Sequence, residues 1–294
     1  MGCGSWTTTS FASYSSSSKC GATLDSLGRL TGDGVSSNQS IYKQRQIHAD
    51  LFPKNIMREC RDTDEHPNTV PVILGLDVTG SMGDTAVEVA KSLNLIMTKL
   101  YNEIEDVEFC IMGIGDLYCD HAPIQMSQFE SDIRIAEQLD KVYFEFGGGG
   151  NAYESYTAAW YMGLCHTDLD CWKRGKKGII ITLGDETLNP YLNKDKINNV
   201  TGDTCQDDIK TDLLYEEASK KFDIYHINVN HRSYKLYLDD DIPSSFKNVI
   251  GESHYYESTL NSLPDVISEI IIKASSNNES TINNVEKQTD GISW

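Results

Sequence analysis

This chain is short of cations relative to anions. Its 294 residues hold 25 Lys and Arg against 44 Asp and Glu, a formal net charge of −19. Nucleic acid is therefore excluded as a partner class, since phosphate binding relies on clustered Lys and Arg that displace counterions. An anionic membrane surface is disfavoured for the same reason. No apolar run reaches the about 18 residues that a membrane-spanning helix needs. The opening MGCGSWTTTS lacks a positive segment followed by an apolar one, so no secretory leader is read there. Trp6 stands where a myristoylation start requires Ser or Thr. The eight cysteines lack the close pairing of structural zinc sites, as in Cys60 with His66 or Cys165 with Cys171 around His166. They are read as free thiols, Cys110 inside the apolar run VEFCIMGIG acting as a small hydrophobe, and the expected compartment is the cytoplasm.

What is present is an alternation of short β-rich apolar runs with amphipathic stretches, the pattern of an α/β domain. Hydrophobic residues make up 39% of the chain, enough for one sizeable core in a domain of about 200–250 residues. Residues 1–40 are rich in Ser, Thr and Gly, with too few aliphatic groups to offset their ordering entropy alone, and are expected to form a flexible arm, free or packed on the domain. Residues 41–68 read as a linker or accessory segment, 69–274 as the domain and 275–294 as a polar tail. Strands are expected at Val70–Asp77, Val107–Gly115, Gly178–Gly184 and Asp223–Asn230, with an edge pair at Ala122–Phe129 and Lys141–Phe146. Helices are expected at Asp84–Tyr101, Ser131–Leu139, Glu154–Leu164, Asp207–Lys221 and Leu260–Ala274, the first capped by Asp84. VILGL and GIIIT lack alternation, as central parallel strands covered on both faces do. The predicted fold is a doubly wound, mostly parallel sheet flanked by helices, Rossmann-like in its winding, in a single domain.

In such sheets ligands bind outside the carboxyl ends of the strands. The run Val70–Leu76 delivers Asp77-Val78-Thr79-Gly80-Ser81-Met82 ahead of a helix, and Gly178–Gly184 delivers Asp185-Glu186. A third loop carries Gly147-Gly148-Gly149-Gly150-Asn151-Ala152-Tyr153-Glu154. Asp77, Thr79 and Ser81, at alternate positions on a Gly-containing turn, can converge on one point. All are hard oxygen donors, suited to Mg²⁺, Mn²⁺ or, less well, Ca²⁺, and unsuited to zinc. The carboxylates are few enough that a bound divalent ion keeps positive charge for an anionic oxygen from a partner.

This segment resembles the first motif, Asp-x-Ser-x-Ser, of the von Willebrand factor A domain with its metal-ion-dependent adhesion site, and is closest in character to intracellular prokaryotic members. The resemblance covers about residues 69–274. Asp77 and Ser81 match outright, and Thr79 keeps the hydroxyl of the first Ser. Asp185 stands for the family's third-loop Asp, although Gly184 separates it from Thr182-Leu183 where the family places Asp directly after Thr. The Gly147–Glu154 loop is similar to the Gly-Gly-Thr loop but lacks the threonine; Asn151 is the nearest replacement and Glu154 the next. Asp116, ending the second strand, is expected to orient groups around the site.

The resemblance implies a non-enzymatic interaction module or scaffold, whose Mg²⁺ or Mn²⁺ is bridged by an Asp or Glu of a protein partner. Similar domains work beside AAA+ ATPases, kinases or phosphatases. Self-association is a further expectation, with Asp25 or Asp33 of one copy on the metal of another. The enzymatic alternative is a haloacid-dehalogenase-like phosphotransferase using Asp77 as nucleophile. It lacks a second Asp at the Thr79 position and a strand-end Lys, and helix onset at Asp84 leaves no room for a flap. The Gly147–Gly150 run lacks the Gly-Lys-Ser/Thr ending of a nucleotide loop. The polar segment Asn189–Asp208 is expected as a recognition loop bordering the site. The acidic runs Asp203–Asp212 and Asp239–Asp241 are read as solvated faces.

Overall fold

The computed structural model describes residues 4–145, 153–229 and 241–289. Its six-stranded sheet comprises β1 (Val70–Asp77), β2 (Val107–Ile114), β3 (Ile124–Met126), β4 (Gly178–Gly184), β5 (Phe222–Val229) and β6 (Tyr255–Ser258). They lie in the order β6-β5-β4-β1-β2-β3. All neighbours are parallel except the β2–β3 edge pair. The expected α/β doubly wound class is therefore the observed one, and the order reverses between β1 and β4.

The absence of alternation in the central strands has the anticipated cause. On one face Val72, Leu74 and Leu76 pack with Leu93 and Met97 of the Gly83–Tyr101 helix and with Ile267 and Ile271 of the Leu263–Thr289 helix. On the other, Ile73 and Ile180 pack with Ala159 and Trp160 of the Thr157–Cys165 helix, and with Leu214 and Phe246. Both faces are covered, so β1 and β4 are almost wholly apolar up to their carboxyl ends.

The N-terminal segment packs on the domain. The expected arm, residues 1–40, forms a helix at Thr8–Ser18 in its described part and, with the first residues of the expected linker, lies on the Gly83–Tyr101 helix. Thr7 caps the first helix, its Oγ1 accepting from Ser10 N at 3.1 Å. The few apolar residues are spaced so that Trp6, Phe11, Leu30, Val35, Ile41 and Tyr42 are all buried. They cover the face of that helix on which Glu88, Ser92 and Asn94 are buried too. Those polar groups find partners: Trp6 Nε1 donates to Asn94 Oδ1 at 3.0 Å, and Arg29 pairs with Glu88 at 2.7 Å.

Other boundaries shift. Asp84 lies in the first turn of its helix, where its carboxylate favours the helix dipole, and it does not cap; the 3₁₀ turn Gly80–Met82 feeds the helix directly. The edge segment expected at Lys141–Phe146 forms no strand over its described part. Gln125 of β3 takes that role with its side-chain amide, donating to Tyr143 O at 2.7 Å and accepting from Tyr143 N at 2.9 Å. The other expected helices are observed at Arg134–Asp140, Thr157–Cys165, Thr211–Ala218 and Leu263–Thr289, the last running through most of the expected tail. The helix Asp241–Ile250 and strand β6 were not expected. No described helix is long and apolar enough to cross a membrane. The seven described cysteines are free thiols.

Candidate functional site

Parallel pairing carries the strand-end carboxylates to one edge of the sheet. Asp77 is the last residue of β1, Asp185 directly follows β4 and Asp116 lies two residues beyond β2; all three are buried. Glu154 reaches the same edge because the short strand Tyr153–Glu154 pairs in parallel with Thr187–Leu188, the segment following Asp185-Glu186.

The turn after β1 wraps around its own aspartate. Asp77 Oδ1 accepts from Thr79 N at 2.9 Å and from Thr79 Oγ1 at 2.6 Å. Ser81 Oγ donates to Asp185 Oδ1 at 3.1 Å, joining the β1 and β4 loops. The structure thus brings Asp77, Thr79, Ser81 and Asp185 together. Asn151 and the glycines Gly147–Gly150 lie outside the described residues.

Tyr156 is a site residue that the sequence reading missed. Its hydroxyl donates to Asp77 Oδ2 at 2.8 Å and accepts from Glu186 N at 3.3 Å. Its ring packs beside His226 and Phe246. The signal was Gly184, whose position interrupts the family-like spacing. A Cβ there would lie 2.0 Å from the Tyr156 hydroxyl oxygen, so only glycine lets the phenol reach Asp77.

Several carboxylates share this edge and raise one another's affinity for protons. Asp77, only 1% exposed, is pushed up to about 7 by burial and by the charge of Asp185, against the stabilising hydrogen bonds of Thr79 and Tyr156. Burial, followed by Asp77, Asp120 and Asp116, raises Glu154 to about 10, so it is protonated at neutral pH. Glu154 Oε2 is buried without a hydrogen-bond partner. More acids gather here than the sequence implied, and the protonation of Glu154 moderates the charge. His226 is driven down to about 3 by burial and remains neutral, its Nδ1 at 2.8 Å from Thr182 Oγ1.

The residues present fit a hard divalent cation. Asp77 and Asp185 supply carboxylates, Thr79 and Ser81 supply hydroxyls, and Glu154 Oε2 is a buried oxygen without a hydrogen-bond partner nearby. Among the described residues no group of three or more His, Cys, Asp or Glu side chains is arranged to hold a metal, so any ion here would depend on the hydroxyl donors. The His and Cys groups serve packing and hydrogen bonding: Cys60 Sγ donates to Glu108 Oε2 at 3.2 Å, His66 bonds Asp106 at 3.1 Å and His166 bonds Asp203 at 2.7 Å.

The expected recognition loop Asn189–Asp208 is an ordered unit. Tyr191–Leu192 pairs with Ile209–Lys210, and Asn193 caps a helix at Lys194–Thr201 with bonds to Asp195 N and Lys196 N. Buried Leu192 and Ile197 anchor it.

No protein-family profile matches the chain, and no curated protein is similar in sequence. Among solved structures, the pilus adhesin SpaC from Lactobacillus rhamnosus GG, in its open conformation, aligns at 15% identity and TM-score 0.49 over 75% of this chain and 31% of that one. The vWF domain of the type V pili tip protein Mfa5 from Porphyromonas gingivalis aligns at 12% identity and TM-score 0.47, over 71% and 96%. Proximal thread matrix protein 1 from the mussel byssus aligns at 12% identity and TM-score 0.43, over 70% and 46%. This chain thus spans less than a third of SpaC. The α/β class rests on the strand order itself.

Proposed function

We propose that this chain is a non-enzymatic interaction module of the von Willebrand A kind, which holds Mg²⁺ or Mn²⁺ through Asp77, Thr79, Ser81 and Asp185. A carboxylate of a partner protein completes the site. The observation that carries this reading is the convergence of two buried carboxylates and two hydroxyls from the β1 and β4 loops, linked by the Ser81–Asp185 bond. The ion supplies positive charge at a partly desolvated edge, making association conditional on metal and on an acidic partner residue. The chain's own residues position it: Thr79 and Tyr156 fix the Asp77 carboxylate from opposite sides, and Ser81 orients Asp185. A cytoplasmic scaffold working beside an ATPase, kinase or phosphatase is the setting this reading favours.

The test is thermal unfolding in Mg²⁺, in Mn²⁺ and in chelator, for wild type and Asp77→Ala, followed by partner capture under the same conditions. Metal is expected to raise the wild-type midpoint and leave Asp77→Ala unmoved, with a partner retained only by metal-loaded wild type. Identical midpoints in all conditions would remove the metal from this reading. Turnover of a chromogenic phosphate ester would replace it with the phosphotransferase alternative.

A further inference from the structure

A cluster of reactive side chains that the metal reading does not use lies where the Thr157–Cys165 helix meets the segment after Gly202. Asp203 Oδ2 accepts there from the Tyr161 hydroxyl at 2.6 Å and from Thr201 Oγ1 at 2.8 Å, and lies 2.7 Å from His166 Nε2. Tyr161 belongs to the helix and His166 is its C-cap, so one carboxylate oxygen ties the segment to the helix end.

Two thiols flank this tie. Cys205 Sγ lies 3.2 Å from the Tyr161 hydroxyl oxygen. Cys165 is the last residue of the helix, one turn beyond Tyr161, and helical side chains lean back over the preceding turn, which carries its sulfur toward the same phenol. The Tyr161 hydroxyl and Cys205 are both among the groups that act on the Cys165 thiol. Cys205 is held in place from behind: its N donates to Asn198 Oδ1 at 2.8 Å, and its O accepts from Asn198 Nδ2 at 3.0 Å.

Both thiols are free and within reach of solvent, Cys165 exposed and Cys205 half-buried. Cys60 and Cys110 differ, being buried and engaged with Glu108 and with Ser127 O. Partial burial, followed by Asp203, pushes the Cys165 thiol up to about 11. Its thiolate is scarce at neutral pH, so the pair stays reduced in reducing surroundings and exchanges slowly.

We propose that Cys165 and Cys205 form a reversible disulfide, made by exchange with a small-molecule disulfide of the glutathione kind. One protein thiol loses its proton and attacks a sulfur of the small disulfide, giving a mixed disulfide and one small thiolate. The second protein thiol loses its proton and attacks the protein-bound sulfur, giving the Cys165–Cys205 bond and a second small thiolate. The two protons pass to the two released thiolates, so two cysteines are oxidised and one small disulfide is reduced to two thiols. The bond replaces a hydrogen-bonded tie by a covalent one, and pins the ordered unit at 189–208 to the helix that begins directly after Tyr156. It requires neither the metal nor a partner.

The test equilibrates the full chain, in chelator, with glutathione buffers of rising disulfide fraction. Remaining thiols are blocked with iodoacetamide and the peptides mapped by mass spectrometry. A linked pair of peptides carrying Cys165 and Cys205, released by dithiothreitol, is expected at a disulfide fraction that leaves the exposed Cys119 mostly alkylated, because a neighbouring thiol competes at high effective concentration. The linked chain should unfold at a higher temperature than the reduced one, since the crosslink restricts the unfolded state. Cys205→Ser should lose that rise and carry glutathione on Cys165. Separate glutathione adducts on Cys165 and Cys205 of the wild type, linkage of either to another cysteine, or a link that forms only in urea would overturn the proposal. An unchanged unfolding temperature in the linked chain would overturn the pinning.

Discussion

Tyr156 shows how a single side chain sets the state of the site. Its hydroxyl is the described donor to Asp77 Oδ2, and its ring fills the space that Gly184 leaves open. Removing the hydroxyl strands one oxygen of a buried carboxylate, a loss of about 1–3 kcal/mol. Tyr156→Phe keeps the ring, so urea unfolding in chelator should show that decrease with an unchanged m-value. A decrease no larger than that of a surface substitution would mean that Asp77 finds another donor.

At the scale of elements, the N-terminal helix and its following turns belong to the core. Phe11 is 1% exposed, with its ring centroid 5.2 Å from that of Trp6, and the pair lies over the Gly83–Tyr101 helix. Phe11→Ala should therefore cost about 3–5 kcal/mol of global stability, measured by chemical denaturation. A detached arm would make the same change nearly silent. The edge of the sheet offers a second lesson: a side-chain amide, Gln125, imitates strand pairing to Tyr143, so the residues near 143 read as strand in sequence without forming a backbone ladder.

For the whole molecule, buried acids give stability an unusual pH dependence. Glu108 on β2 is pushed up to about 7, first by burial, against the lowering influence of Cys60 and His66. The folded state thus binds a proton more tightly than the unfolded chain. Its contribution is fully present below the ordinary glutamate range near 4.5 and is lost as pH rises through about 7. The whole window corresponds to about 3 kcal/mol. Metal-free protein should be more stable near pH 5 than near pH 8, and Glu108→Gln should flatten that slope in denaturation midpoints taken across the range. Asp77 adds a slope of the same sign. An unchanged slope in Glu108→Gln would assign the effect to other groups.

The sequence by itself determined the elements whose cause is local. β1 and β4 were legible because strands covered on both faces are apolar without alternation, and Asp77, Thr79 and Ser81 because five consecutive residues suffice to build their turn. Asp185 followed from its place after β4. Tertiary structure alone decided the features whose partners lie far apart in the chain. Tyr156 reaches Asp77 across 79 positions, Trp6 meets Asn94 across 88, and Tyr161 meets Cys205 across 44. No periodicity encodes such meetings, because they follow from how the helices cross the sheet. The Ser-rich N-terminus illustrates the reason: its composition predicts weak self-burial, and it is ordered because the helix beneath it supplies the apolar surface and the polar partners that it lacks.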